Sequence, residues 1–238
     1  MLPAEASYSW KNDIAVGLDG MSWTYTAQYS DNRSVLYRAF IDSELGDDDG
    51  FVSAWEVLKM DTESRAQLMG LVEENVDVKI NGSSDGIVVT GAESDMSMEC
   101  MGPVTKEDTI VNMYEVHYIF EEPLISLGDR IWFLGEPGTA VTIRLPDNIK
   151  VESTEGIDNV SIDSGDLGQE VSGDFDFTGE AVIHFEPDTV FQMEGEENKK
   201  TPVSVVDSDT QSFSSIVDEI FPGFTDDFLK TVKGNSLI

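Results

Sequence analysis

From Val76 onward the apolar residues recur at every second position, and that period limits what the chain can become. "VDVKI", "GIVVT", "DMSMECM" and "TIVNMYEVHYIF" follow one another, separated by Gly, Asn and Asp residues. A second series follows Pro123: "RIWFLG", "AVTIRL", "KVEST", "NVSID", "SGDFDF" and "AVIHFEP". A period of two places alternate side chains on opposite faces of an extended strand. Short strands at intervals of about eight to twelve residues, with turn signals between them, predict a sandwich or Greek-key sheet. The chain has 238 residues, 40% of them hydrophobic, with twelve Phe and four Trp. That is enough apolar material for a sizeable core and excludes global disorder. No segment repeats at a period of 20–50 residues, which excludes a solenoid.

The region before Val76 has a different grain. Residues 7–29 read as two strands around the Asp19-Gly20 turn, with alternation in "MSWTYTAQY". "DNRSVLYRAFID" reads as a short helix capped by Asp31 or Ser34, with Leu36 and Phe40 on one face. "SAWEVLKMDTESRAQLMGLVEEN" reads as a second helix, carrying Trp55, Leu58, Met69 and Val72 at helical spacing. Gly70 and the polar stretch at Asp61 predict a shortened or kinked helix there. Beyond the strands, "MEGEENKKTPVSVVDSDTQS" is a polar linker. "FSSIVDEIFPGFTDDFLKTVKG" predicts short amphipathic helices broken at Pro222, whose apolar face (Phe213, Ile216, Ile220, Phe224, Phe228) packs on the domain. The expected class is α+β. Residues 1–120 form a small α/β region with a helix–acidic loop–helix. Residues 121–192 form an antiparallel, sandwich-like region that can be continuous with the first. An acidic linker (193–211) and a helical tail (212–238) follow.

Charge narrows the partners. Fourteen Lys and Arg stand against 47 Asp and Glu, a formal net charge of −33. Such a surface repels nucleic acid and anionic lipid, and argues against both as partners. It suits divalent cations, basic partners or a high-salt medium, and leaves a protein partner or self-association open. Cys100 is the single cysteine, so neither an intramolecular disulfide nor a Cys-based metal site can form. No run of eighteen apolar residues offers a membrane span, so membrane association is expected only through an anchor outside this sequence. "MLPAEASYSW" lacks the basic and apolar regions of a signal peptide. The chain is therefore expected to be cytosolic or a mature or trimmed ectodomain. Three N-x-S sequons tilt the expectation to an extracellular or cell-surface place: Asn32-Arg33-Ser34, Asn81-Gly82-Ser83 and Asn159-Val160-Ser161.

The stretch "GDDDGFVSAWE", residues 46–56, crowds Asp47, Asp48 and Asp49 beside Glu44. Unpaired carboxylates so close repel one another. Either a cation belongs among them, or the stretch is a solvated turn running into a capped helix. Ser53 and Glu56 fit a capping box, in which each side chain satisfies the other residue's backbone N–H.

The helix–acidic loop–helix over residues 33–70 resembles the EF-hand family. It is also similar, more loosely, to EF-hand-like segments that precede a β domain in surface proteins of archaea. The resemblance implies a calcium loop with Gly50 at its sharp turn and Val52 as its apolar anchor. Asp47, Asp49, the Phe51 carbonyl, Ser53 and Glu56 would be the ligands, with Glu56 closing the cage. The family's first ligand position falls on Leu45, which has no ligating side chain. Three extra residues in "IDSELGDDDG" place Asp42 to supply that ligand from the end of the incoming helix. The family's usual second loop is missing.

Other motifs read blandly. Gly82-Ser83-Ser84-Asp85-Gly86 matches G-x-S-x-G, but a strand follows where a nucleophile elbow needs a helix, so it is a hairpin turn. His117 and His184 are sheet-face residues without partners at metal-ligand spacing. Cys100, between Met98 and Met101, reads as a small core residue. Asp158, Asp163 and Asp166 read as turn residues holding their own backbone rather than a second cation site. The expected function is a secreted or surface-anchored acidic binding or structural module with a structural calcium site and no catalytic residues. A metal-free acidic domain and a carboxylate-dependent hydrolase are the alternatives.

Overall fold

Strict alternation in the first thirty residues builds a hairpin of β1 (Tyr8–Val16) and β2 (Gly20–Tyr29), in register from Tyr8↔Tyr29 to Val16↔Met21. Met21, Trp23, Tyr25, Ala27 and Tyr29 point inward and are buried, while the polar residues between them lie on the other face. The computed structural model describes residues 8–188 apart from 75, 166 and 167. The linker at 193–211 and the tail at 212–238 lie outside the described residues.

After the hairpin come α1 (Asn32–Phe40), β3 (Phe51–Val52) and α2 (Ala54–Glu74). β4 (Val78–Ile80), β5 (Ile87–Asp95), β6 (Gly102–Pro103) and β7 (Ile110–Phe120) follow, then the single turn α3 (Leu124–Leu127). The chain continues through β8 (Arg130–Leu134), β9 (Ala140–Leu145) and β10 (Ile149–Glu155). β11 (Ile157–Gly165), β12 (Gly168–Phe175) and β13 (Glu180–Pro187) are the last elements among the described residues. Seven strands form one sheet in the order β11-β12-β9-β1-β2-β7-β5, four form a second in the order β10-β13-β8-β4, and β3 pairs with β6. Every pairing is antiparallel except β1 with β9, which run parallel from Lys11↔Ala140 to Ala15↔Arg144. The fold is thus α+β with a β-rich sandwich. Among the described residues, strands from before and after residue 120 lie side by side in the larger sheet.

The two sheets meet through aromatic side chains. The Trp23 ring stands edge-on to Phe133 of the smaller sheet at 5.9 Å and stacks on Tyr25 at 5.2 Å. The helices cover the β2–β7–β5 end of the same face, where Tyr37 of α1 stacks on Tyr29 at 4.4 Å. Two inward positions are polar. Asn12 accepts from both Trp10 Nε1 and Trp23 Nε1 and donates to Thr139 Oγ1 and to the Ala140 carbonyl, binding β1 to β9. Asn112 donates to Tyr37 Oη and accepts from the Ser97 N–H.

Three local expectations are corrected. Asp31 has φ 52° and its side chain makes no cap, while the Ser34 hydroxyl donates back to the Asp31 carbonyl, so neither side chain caps α1. α2 is unbroken at Asp61 and Gly70, and its buried face is Glu56, Met60, Ser64, Leu68 and Val72, a four-residue spacing. Trp55 and Leu58 are 65% and 50% exposed. Two of the five buried positions are polar, so counting apolar residues picks the wrong stripe. "DMSMECM" is not a strand. β5 ends at Asp95, and Ser97 caps a 3-10 turn over Met98–Cys100 by accepting from the Glu99 N–H.

Candidate metal centre

The acidic loop begins where α1 loosens into a π-helical turn, Ile41–Leu45. A π turn holds one more residue than an α turn, and such turns recur at functional sites. This one takes up one of the three extra residues between Asp42 and the loop. The Asp42 carbonyl accepts from the N–H groups of Gly46 and Asp48, and its carboxylate accepts from Asp49 N at 3.2 Å and Gly50 N at 2.9 Å. The loop is therefore wound around Asp42, which is 2% exposed. Leu45 faces the core, and its carbonyl accepts from Lys59 Nζ.

Asp48 (φ 56°) and Gly50 (φ 84°) make the turn in the left-handed region, which Asp tolerates and Gly favours. The chain then passes into Phe51–Val52, whose partner is Gly102–Pro103, in register Phe51↔Pro103 and Val52↔Gly102. A strand from elsewhere in the chain stands where a second loop would pair. Val52 is fully buried. Ser53 and Glu56 form the capping box: Glu56 Oε2 accepts from Ser53 N at 2.6 Å, and Ser53 Oγ from Glu56 N at 3.4 Å.

One carboxylate oxygen each from Asp42, Asp47 and Glu56 lies within 4.8 Å of the others, within reach of a single ion. Asp42 and Glu56 are buried and Asp47 is exposed. Among the described residues no ion pair involves any of the three. Gly46 leaves the room this needs, because a Cβ there would stand 1.9 Å from Glu56 Oε1 and 2.5 Å from the Asp42 carbonyl oxygen. An open depression of about 310 Å³ beside the trio is lined by Asp47, Asp49, Phe51, Trp55, Glu56 and Lys59. Of the six expected ligands, Asp42, Asp47 and Glu56 thus converge. Asp49 has its Oδ1 engaged by the Phe51 N–H, and Ser53 is engaged in the cap. The Phe51 side chain is 49% exposed at the rim.

Two buried charged residues escape sequence reading. Arg38 is fully buried, and its guanidinium donates to the carbonyls of Ser34, Glu99, Lys106 and Asp108. It gathers the 99–108 segment around α1, and that segment supplies both the partner strand of β3 and the Val104 N–H that donates to the Gly50 carbonyl. Asp77 is 2% exposed where α2 leads into β4. Its carboxylate accepts from Tyr25 Oη and Tyr118 Oη, each at 2.7 Å. Burial pushes its pKa up to about 6, against the pull of the two hydroxyls and its own backbone N–H.

Among the described residues, the others singled out in the sequence join no such acidic or metal-ligating cluster. Gly82–Gly86 is the turn between β4 and β5. His117 is half-buried on the outer face of β7, and His184 lies 3.5 Å from Glu155. Cys100 is buried, and burial raises its thiol to about 12. Asp158 and Asp163 are exposed on β11, and Asp166 lies outside the described residues. No helix among those residues is long and apolar enough to cross a membrane. Comparison of the sequence with protein-family models and with curated proteins gives no match.

Proposed function

We propose that this chain is an exported or surface-held acidic module whose α1–α2 loop holds a structural calcium ion. The observation that carries the reading is the convergence of Asp42, Asp47 and Glu56, two of them buried and none neutralised by a basic side chain among the described residues. Buried unpaired carboxylates are costly, and a hard cation with oxygen ligands relieves that cost. The likeness to an EF-hand loop supports the same ion, with the Phe51 carbonyl, Asp49, Ser53 and water as further oxygen donors. The ion would fix the angle between the two helices and lock β3 against β6. A site built from a single loop belongs to the weak extracellular range, with a Kd of about 10⁻⁴ to 10⁻³ M. The surface charge favours a basic protein partner over nucleic acid or anionic lipid.

The reciprocal Ser53–Glu56 bonds favour a second reading, a metal-free capped turn. Thermal melting separates the two. At about 10 mM calcium and a Kd of about 10⁻⁴ M, binding to the native state adds about 2.7 kcal/mol. Sodium at matched ionic strength is the control, because screening also relaxes a −33 surface. Asp47 takes no part in the cap, so Asp47→Ala is expected to abolish the calcium-specific gain and leave the sodium melt unchanged. Equal stabilisation by calcium and sodium, unaltered in Asp47→Ala, would establish the capped turn instead.

A further inference from the structure

We propose that Asn159 is an N-glycosylation site. The sequence offers three sequons, and their surroundings differ. Asn32 opens α1, but the hydroxyl of its Ser34 is fully buried and donates to the Asp31 carbonyl at 2.8 Å. Asn81 lies in the tight turn where Ile80 and Ser83 exchange backbone hydrogen bonds, and its side chain accepts from Asp129 N. It also fills the space over Gly128, where a Cβ would stand 2.4 Å from Asn81 Cγ. Asn81, Gly82 and Ser83 are exposed, but the Asn81 side chain is bonded to the Asp129 backbone. Neither of these two tripeptides therefore presents an acceptor amide clear of the backbone together with an exposed hydroxyl.

Asn159-Val160-Ser161 does. All three residues are exposed, and Asn159 has φ 54°. The register of β11 against β12 shifts between Asp158 and Ser161, so Asn159 and Val160 form a bulge, with Gly173 on the facing strand. A bulge leaves its extra residue outside the ladder and turns its side chain outward. The Asn159 amide touches only Asp174 Oδ2 at 3.1 Å, and Ser161 Oγ touches Asp163 Oδ2 at 3.3 Å, both contacts being exposed.

A second observation concerns what a sugar would cover. Among the described residues β11 is the edge of the larger sheet and pairs only with β12. Each residue from Asp158 to Gly165 is exposed, and Val160 and Ile162 are 46% and 45% exposed. An open edge with apolar side chains is a template for strand addition by another chain, and proteins cover or charge such edges. A bulky hydrophilic oligosaccharide at the bulge would screen this one.

The donor is an oligosaccharide linked through its anomeric carbon to a lipid phosphate, and the catalyst is a membrane oligosaccharyltransferase. Asn159 Nδ2 forms a bond to the anomeric carbon as the carbon–oxygen bond to phosphate breaks. The lipid phosphate leaves with the electron pair, and one Nδ2 proton passes to a base of the transferase. The inference rests on the exported location proposed above and is independent of calcium.

The test isolates the full chain from the cells that make it and maps its peptides by mass spectrometry. A sugar mass on the Asn159 peptide is expected, lost in both Asn159→Gln and Ser161→Ala and retained in Asn32→Gln and Asn81→Gln. Ser161→Ala leaves the left-handed Asn in place, so a lost sugar there cannot be blamed on a disturbed turn. An unmodified Asn159 peptide in exported chain, or a sugar surviving in both Asn159→Gln and Ser161→Ala, would overturn the proposal while leaving the location standing. Chain found only in the cytoplasm would overturn both. The calcium–sodium melting comparison is unaffected by either result.

Discussion

Replacing Asp77 by Asn tests how the fold tolerates a carboxyl group between its sheets. The group is 2% exposed and held by two tyrosine hydroxyls, which stay protonated because burial raises their own pKa values well above the ordinary range. Its pKa rises from 3.8 unfolded to about 6 folded. Between those values the native state holds more protons than the unfolded state, so this group makes stability fall as pH rises. The loss begins near the unfolded value and is complete above the folded one, at about 3 kcal/mol in all. About half is already lost at about pH 5, leaving about 1.4 kcal/mol between about pH 5 and about pH 7.5, a range that avoids the low solubility expected near the pI of 4.1. Asn is close in shape to the protonated acid and does not titrate. Urea unfolding of both proteins across that range gives the difference directly, since the other 46 acidic groups are shared. Asp77→Asn is expected to gain about 1.4 kcal/mol relative to wild type over the range, whatever its offset at the acid end. Parallel stability curves for the two proteins would refute the shifted carboxyl.

Two further substitutions probe the loop and its support. Arg38→Ala should lower stability by more than about 3 kcal/mol in urea unfolding, because four carbonyls, one buried and three part-buried, lose their donor at once. A loss under about 1 kcal/mol would mean that water replaces the guanidinium. Gly46→Ala should push Glu56 aside, since the new methyl would stand 1.9 Å from Oε1. Titration calorimetry should then give at least about a tenfold weaker calcium affinity, with about 1 kcal/mol of stability lost through the cap. An unchanged affinity would remove Glu56 from the ligand set.

The strands were legible because alternation survives burial on one face. "MSWTYTAQY" and "TIVNMYEVHYIF" each place every second residue in the core. The same parity held a signal that sequence reading passed over. Asn12 follows Trp10 and precedes Ile14 and Val16 on one face, and Asn112 sits between Ile110 and Tyr114. A polar residue at an inward position must find buried partners, so both could have been marked as cross-links. Asp77 carried no such sign, since its burial comes from Tyr25 and Tyr118, distant in sequence. Arg38 resembles any helix-surface arginine until the 99–108 segment closes over it. In the loop, the spacing located Asp42, Asp47 and Glu56, but how Asp42 returns across three extra residues is visible only in the π turn and in the loop wound around it.

The parallel join of β1 to β9 bears on how the chain comes to be folded at all. Asn12 and the Ala140 carbonyl it binds are 128 residues apart. On a ribosome adding about 5–20 residues per second, β1 waits roughly 6–26 s for its neighbour. During that wait the first hairpin has Trp10, Trp23 and Tyr25 uncovered and one long edge open. Closing so large a loop is an entropic barrier that no local contact offsets, and it makes for slow folding. Mutual repulsion between chains as acidic as this one would keep such half-made molecules from sticking to one another. The acidity that looks like a surface adaptation of the finished protein would then serve first as the chain's own chaperone.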